Sequence, residues 1–275
     1  MRLWIVALFI LVSGIVPAGC SSSSDDDARP QVEDSVDVLY NNAASALDEG
    51  DYVAATQLFE EVERQHPYSR WATQAQLMAA FASYKDQRYD EAILSLDRFI
   101  ELHPGNEDVD YAHYLKALSF YEQITDVARD QQMTEEALKA LEALMTRFPE
   151  SQYARDAALK RDLTFDHLAG KEMEIGRYYL NRGHINAAIN RFRVVVEKYQ
   201  TTTHTAEALH RLVEAYLTLG LGYEATQVAA VLGYNYPGSK WYKASYELLD
   251  DEARQRILDD RSFVDRTIDS IFKPD

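Results

Sequence analysis

Two stretches of this chain repeat one pattern in a single register. In the first, Gly50-Asp51-Tyr52 leads to Ala55, Phe59, Val62 and Pro67; in the second, Gln87-Arg88-Tyr89 leads to Ala92, Leu96, Phe99 and Pro104. Tyr52 and Tyr89, Ala55 and Ala92, and Pro67 and Pro104 are each 37 residues apart. Self-similarity at a fixed period of this size is the signature of a helical repeat array, in which each unit buries its apolar face only by stacking on the next.

The pattern continues along the chain. An alanine precedes a proline by 12 residues at Ala55/Pro67, Ala92/Pro104, Ala137/Pro149 and Ala225/Pro237; a further copy, fourth in chain order, has Gly183, Ala188 and Phe192, with Gln200 in the proline slot. Apolar residues at i, i+3, i+4 and i+7, as in Ala55/Leu58/Phe59/Val62 and Phe192/Val195/Val196/Tyr199, give each second helix one apolar stripe. Proline then stops it, because it cannot continue the hydrogen-bond ladder. Ser69, Ser151 and Ser239 stand where the next helix needs an N-cap, and Trp71, Tyr153 and Trp241 are read as packing residues between repeats. Copy three contains a polar stretch, Gln123 to Met133, read as an exposed loop. Copy four is preceded by extra residues of helical pattern, which predicts one long helix from about Gln152 to Asn181, with Gly170 a candidate bend. Trp241–Leu258 and Phe263–Phe272 read as amphipathic capping helices. The spacings resemble the tetratricopeptide repeat (TPR). The expected fold is all-α: a superhelical array of about five TPR-like helix pairs with a C-terminal helical cap.

The formal net charge of -17 disfavours nucleic acid, which selects a basic face. The charge is uneven. Residues 20–150 carry 10 basic and 27 acidic side chains, whereas 151–211 carry 10 basic and 7 acidic. Arg177, Arg182, Arg191, Arg193 and Lys198 are the densest part of that one basic segment, and they are candidates for docking an acidic protein partner, where complementary charge sets orientation and on-rate.

The N-terminus reads as an address. Arg2 is followed by an apolar run, Leu3 to Val12, too short for a membrane span of about 20 residues. Val16-Pro17-Ala18-Gly19-Cys20 resembles a bacterial lipobox around the chain's single cysteine, with Pro17 where leucine is usual. The resemblance implies a diacylglycerol and an N-acyl chain on Cys20; more than one chain makes anchoring stable. The resulting division is a signal peptide (1–19), a lipidated tether (20–34), repeats 1–3 (35–150), repeats 4–5 (151–239) and capping helices (240–275). Ser21 after the cysteine favours the outer membrane by resemblance to known sorting rules.

Catalytic signatures are missing from the sequence: there is no GxxxxGK, HExxH or GxSxG motif and no cysteine cluster. His66 and His103 occupy equivalent pre-proline positions, which is repeat geometry rather than metal spacing. The expectation is a non-enzyme with no metal site and no cofactor beyond the acyl groups.

Certain runs are more specific than TPR spacing. Asp97-Arg98-Phe99-Ile100 with Pro104, Asp110-Tyr111 to Leu118, Tyr178-Tyr179, Arg182-Gly183 and Asn190-Arg191 resemble the BamD family of outer-membrane protein assembly lipoproteins. The resemblance implies a lipid-anchored, non-catalytic subunit of the β-barrel assembly (BAM) complex on the periplasmic face of the outer membrane. Its implied partners are BamA, through POTRA domains at the C-terminal repeats, other lipoproteins of the complex, and unfolded β-barrel precursors at the N-terminal repeats. Arg191 matches the family's BamA-facing arginine. Tyr40, Phe81, Tyr84 and Tyr114 are candidates for a precursor groove, with core packing as the competing reading. A TPR lipoprotein of cell-wall or pilus assembly is the alternative.

Overall fold

The computed structural model describes residues 35–259, all within one compact unit that begins at Ser35. Every regular element among them is an α-helix: α1 (Val36–Asp48), α2 (Tyr52–Gln65), α3 (Arg70–Lys85), α4 (Tyr89–Leu102), α5 (Val109–Tyr121), α6 (Gln132–Arg147), α7 (Ala154–Asn181), α8 (Ile185–Lys198), α9 (Thr205–Thr218), α10 (Gly222–Asn235), α11 (Lys240–Leu248) and α12 (Asp251–Asp259). From α1 to α10 each helix packs mainly on its neighbours in sequence, whereas α11 packs mainly on α9 and α12 packs on α10. The result is five helix pairs and a terminal pair, stacked in order. Cys20 and the stretch Phe263–Phe272 lie outside the described residues.

The repeat pattern becomes geometry at three points of each unit. Within a pair, small residues allow close approach: Ala43, Ala55, Ala80, Ala92, Ala117 and Ala137 are fully buried. Gly176 shows why size matters. A Cβ there would lie 2.8 Å from Cδ1 of Phe192, inside the ring's contact distance. At the turns between paired helices the chain enters the left-handed region, with φ of 82°, 76° and 75° at Gly50, Gly183 and Gly220. Copy two places Gln87 there, at φ 61°, a conformation costly for a residue with a Cβ.

Second helices end at a residue with φ between -123° and -131°: His66, His103, Phe148, Tyr199 and Tyr236. Four of these precede proline, which disfavours helical backbone in the residue before it. Tyr199 precedes Gln200 and bends in the same way. There the helix end is satisfied by Thr202 N, which donates to Tyr199 O at 3.1 Å, and by side chains, since the hydroxyl of Thr202 donates to Tyr199 O at 2.8 Å and that of Thr205 to Gln200 O at 3.0 Å. The bend therefore survives without the ring.

Ser69 and Ser239 cap the next helices as expected, accepting from the backbone N–H of Ala72 at 3.0 Å and Tyr242 at 3.1 Å. Ser151 does not cap α7. Its hydroxyl donates to Asp110 Oδ2 at 2.6 Å and accepts from Tyr153 N at 3.2 Å, so the hydroxyl ties the loop to α5 and the helix starts later, at Ala154. The aromatic residues past the prolines pack back on the preceding first helix: Trp71 on Tyr40 (4.7 Å between ring centroids), Tyr153 on Tyr114 (4.8 Å, stacked) and Trp241 on His210 (5.2 Å).

The structure corrects the sequence reading in two places. The copy-three insertion is not simply an exposed loop. Gln131 is buried, and its amide donates to Arg129 O at 3.0 Å while its carbonyl oxygen accepts from the hydroxyl of Thr134 at 3.0 Å. Val127 fits against Gly170, where a Cβ would lie 3.1 Å from Val127 Cγ1 and 3.3 Å from His204 Nε2, and Lys171 Nζ donates to Ala128 O at 2.9 Å. Gly170 is thus a notch on α7 that receives the insertion. The second correction is at the C-terminus, where a single helix over Trp241–Leu258 is replaced by two. Leu249 takes extended backbone (φ -79°, ψ 147°) to bury its side chain. Asp250 then accepts from Ala253 N at 2.7 Å to start α12, and Arg254 donates to the carbonyls of Tyr246 (3.0 Å) and Glu247 (3.1 Å) at the end of α11.

Candidate partner-binding face

The C-terminal half of α7 and the whole of α8 form the face that carries the basic candidates. Their pairing rests on Met173 and Gly176 of α7 against Ala188, Phe192 and Val195 of α8, all fully buried. Between them the Arg182-Gly183-His184 turn is closed by Gly183 N to Leu180 O (3.0 Å) and His184 N to Tyr179 O (2.9 Å).

That packing brings Tyr179, Ala187, Asn190, Arg191 and Val194 around one shallow cavity of about 260 Å³. Arg191 forms its wall. One nitrogen, Nη1, donates to both oxygens of Glu172 on α7, at 3.0 and 3.3 Å. With the arginine side chain 42% exposed, such a pair adds roughly 0–1 kcal/mol of stability. Its larger effect is to hold the partly exposed guanidinium at the cavity. Tyr178, next to the cavity residue Tyr179, is half exposed and lies under the Arg182 guanidinium at 4.8 Å.

The other basic candidates diverge. Arg177 turns toward α9 and pairs with Glu207 at 3.1 Å. Arg193 pairs along its own helix with Glu197 at 2.9 Å, and its charge acts on Tyr216 of α9. Lys198 is exposed at the end of α8. Sequence density grouped five cations; tertiary structure puts Arg191 in the cavity wall and Arg182 on the adjoining turn. The uncharged lining residues Tyr179, Ala187, Asn190 and Val194 were not among the candidates, although Tyr179 and Asn190 belong to the runs that carried the family resemblance.

The four aromatic candidates of the N-terminal repeats sit in seams between helices and keep part of their surface in solvent. Tyr40 packs on Phe59 (5.4 Å) and Trp71, and burial pushes its hydroxyl pKa up. Phe81 packs with Leu77, Leu96 and Phe99, and Tyr84 with Tyr89 at 5.7 Å. Tyr114 donates to Asp156 Oδ2 at 2.6 Å and stacks on Tyr153; burial and that hydrogen bond raise its pKa. Tyr68, which sequence reasoning passed over as a site residue, is fully exposed beside Pro67.

Ser245, His210 and Glu214 line up in the order of a hydrolytic relay, with His210 Nδ1 2.8 Å from Ser245 Oγ and Nε2 3.5 Å from Glu214 Oε1. Ser245 is fully buried and His210 nearly so. A nucleophile sealed in a helix seam has no route to a substrate, so the arrangement is a structural bridge between α9 and α11.

The family model described as YfiO, outer membrane lipoprotein, matches residues 32–232. The chain belongs to this family. Curated relatives carry the name outer membrane protein assembly factor BamD. The one from Caulobacter vibrioides is 52% identical over 242 residues, covering 88% of this chain and 79% of that protein. The one from Rickettsia prowazekii is 46% identical over 249 residues, covering 90% and 98%, and the one from Neisseria meningitidis serogroup A is 35% identical over 246 residues, covering 85% and 92%. The YfiO match spans α1 to the last turn of α10, so it includes every residue of the α7–α8 cavity. It ends before α11 and α12.

Proposed function

We propose that this protein is a non-catalytic scaffold of the outer-membrane β-barrel assembly complex. Its α7–α8 face binds the POTRA domains of a BamA-like barrel protein, and its N-terminal repeats receive unfolded β-barrel precursors. Acylation of Cys20 tethers it to the periplasmic face of the outer membrane. The observation that carries this reading is the cavity itself: Tyr179, Asn190 and Arg191, drawn from two helices, meet at one exposed notch within the YfiO match. A partly exposed arginine held by Glu172 through one nitrogen suits a carboxylate on a partner, since its fork of donors can serve two acceptors at once.

Among the described residues no helix is long and apolar enough to cross a membrane. The extended aromatic seams of the first three repeats suit an unfolded chain end better than a rigid domain. Affinity purification from gently solubilised membranes tests the assignment. The wild-type protein should bring down a POTRA-containing barrel protein, and Arg191→Glu should reduce that yield by roughly tenfold or more while leaving helicity unchanged. Recovery of cell-wall or pilus assembly proteins in place of the barrel would favour the alternative envelope role. Undiminished barrel recovery with Arg191→Glu would remove this face from the interface.

A further inference from the structure

α11 is joined to the array mainly by its contacts with α9. Its Trp241 packs on His210 with the rings tilted, and its Ser245 hydrogen-bonds the same imidazole at 2.8 Å. Ser245 is 0% exposed and His210 5%, so this polar contact is made in a dry seam. α12 follows α11 directly and is tied to it through Arg254. We propose that His210 is a pH-operated latch whose protonation releases α11 from α9.

The chemistry is that of a buried base with fixed partners. With Nε2–H directed at Glu214, Nδ1 is left to accept the hydroxyl proton of Ser245. Protonation fills that lone pair. Nδ1–H must then donate to Ser245 Oγ, so the hydroxyl proton has to turn away from the imidazole and a positive charge is left in a buried seam, both of which cost stability there. The charges acting on His210 come from α9: Glu214 and Glu207 favour the cation and Arg211 opposes it. From α11 it faces Ser245 and the Trp241 ring, which already has Arg211 at 5.5 Å and Lys240 at 4.6 Å. Burial is the largest influence and holds the imidazole below its ordinary pKa of 6.5.

The direction of the pH effect follows. Above pH 6.5 the imidazole is neutral whether docked or free, and the latch contributes fully. As pH falls below 6.5 the undocked form takes the proton first, so docking weakens until the docked form also titrates.

Amide hydrogen exchange of the purified full chain tests the latch, corrected for the intrinsic pH dependence of exchange. Between pH 7.5 and 5.5 protection over residues 240–248 should fall about tenfold relative to α1–α4, and His210→Gln should abolish that step. An equal step in His210→Gln, or no step in the wild type, overturns the proposal. Should His210→Gln lose its helicity at pH 7.5, Ser245→Ala decides: at pH 7.5 its α11 should already exchange at the wild-type acid rate. Wild-type protection in Ser245→Ala would refute the latch. The outcome is independent of whether the α7–α8 face binds a barrel protein.

Discussion

Gln87 carries a cost that its counterparts do not. It occupies the slot of Gly50, Gly183 and Gly220 with φ 61°, and its Cβ meets the following carbonyl in that conformation. Gln87→Gly should therefore stabilise the unit by about 1 kcal/mol, after the extra chain entropy of glycine is subtracted from a strain of about 1–2 kcal/mol. For a unit of this size that is a rise of about 2–4 °C in Tm, measurable by calorimetry. An unchanged or lowered Tm would mean that neighbouring contacts of the Gln87 side chain outweigh the backbone strain. At Gly176 the logic is reversed: the backbone is ordinary helix, and the Phe192 ring sets the size limit.

At the scale of elements, the long α7 is the joint between three repeats and two. Its first half packs on α6 through Ala157 and its second on α8 through Met173, and its middle receives two outside segments. Val127 of the insertion sits in the Gly170 notch. From the turn before α9, the backbone N–H and hydroxyl of Thr203 donate to Asp166 Oδ1 at 2.9 and 2.7 Å. The insertion is thus a clamp on the helix. Gly170→Leu should expel it without breaking α7, since leucine is a better helix former than glycine by about 1 kcal/mol. Limited proteolysis should then cut within residues 122–131 well before the rest of the chain. A cleavage pattern identical to that of the wild type would show that the notch does not hold the loop. Ser151 makes a related point about caps. A serine in the right place for a cap bonds Asp110 instead, because the loop that carries it is drawn toward α5.

Across the whole molecule, stability is expected to be local. Each pair buries its apolar residues against its neighbours: Leu39, Phe59 and Val62 with Ala75 at one end, Phe192, Leu209, Leu212 and Leu232 at the other. Stability in such a stack is approximately a sum of neighbour terms. Phe59→Ala removes a fully buried ring and should cost about 3–5 kcal/mol. Hydrogen exchange should rise in α1–α3 and stay near wild-type rates in α9–α11. A uniform rise along the chain would mean that the array unfolds as one cooperative block. The periodic features of this array were legible in the sequence because they are local. Alanine and proline 12 residues apart, an apolar stripe within one helix and a glycine at a turn each act through residues a few positions away. The family-specific runs were legible too: Tyr178-Tyr179, Arg182-Gly183 and Asn190-Arg191 fall on the α7–α8 hairpin, whereas Asp97 to Ile100 and Asp110 to Leu118 fall on α4 and α5. What the tertiary structure alone decided involves residues far apart in sequence. Val127 meets Gly170, Arg177 is drawn from the basic patch to Glu207, Leu249 breaks a continuous amphipathic pattern to reach the core, and His210 finds Ser245. A side chain's periodicity fixes which way it faces on its helix, whereas the group it meets depends on how the helices stack, and no short stretch of sequence encodes that.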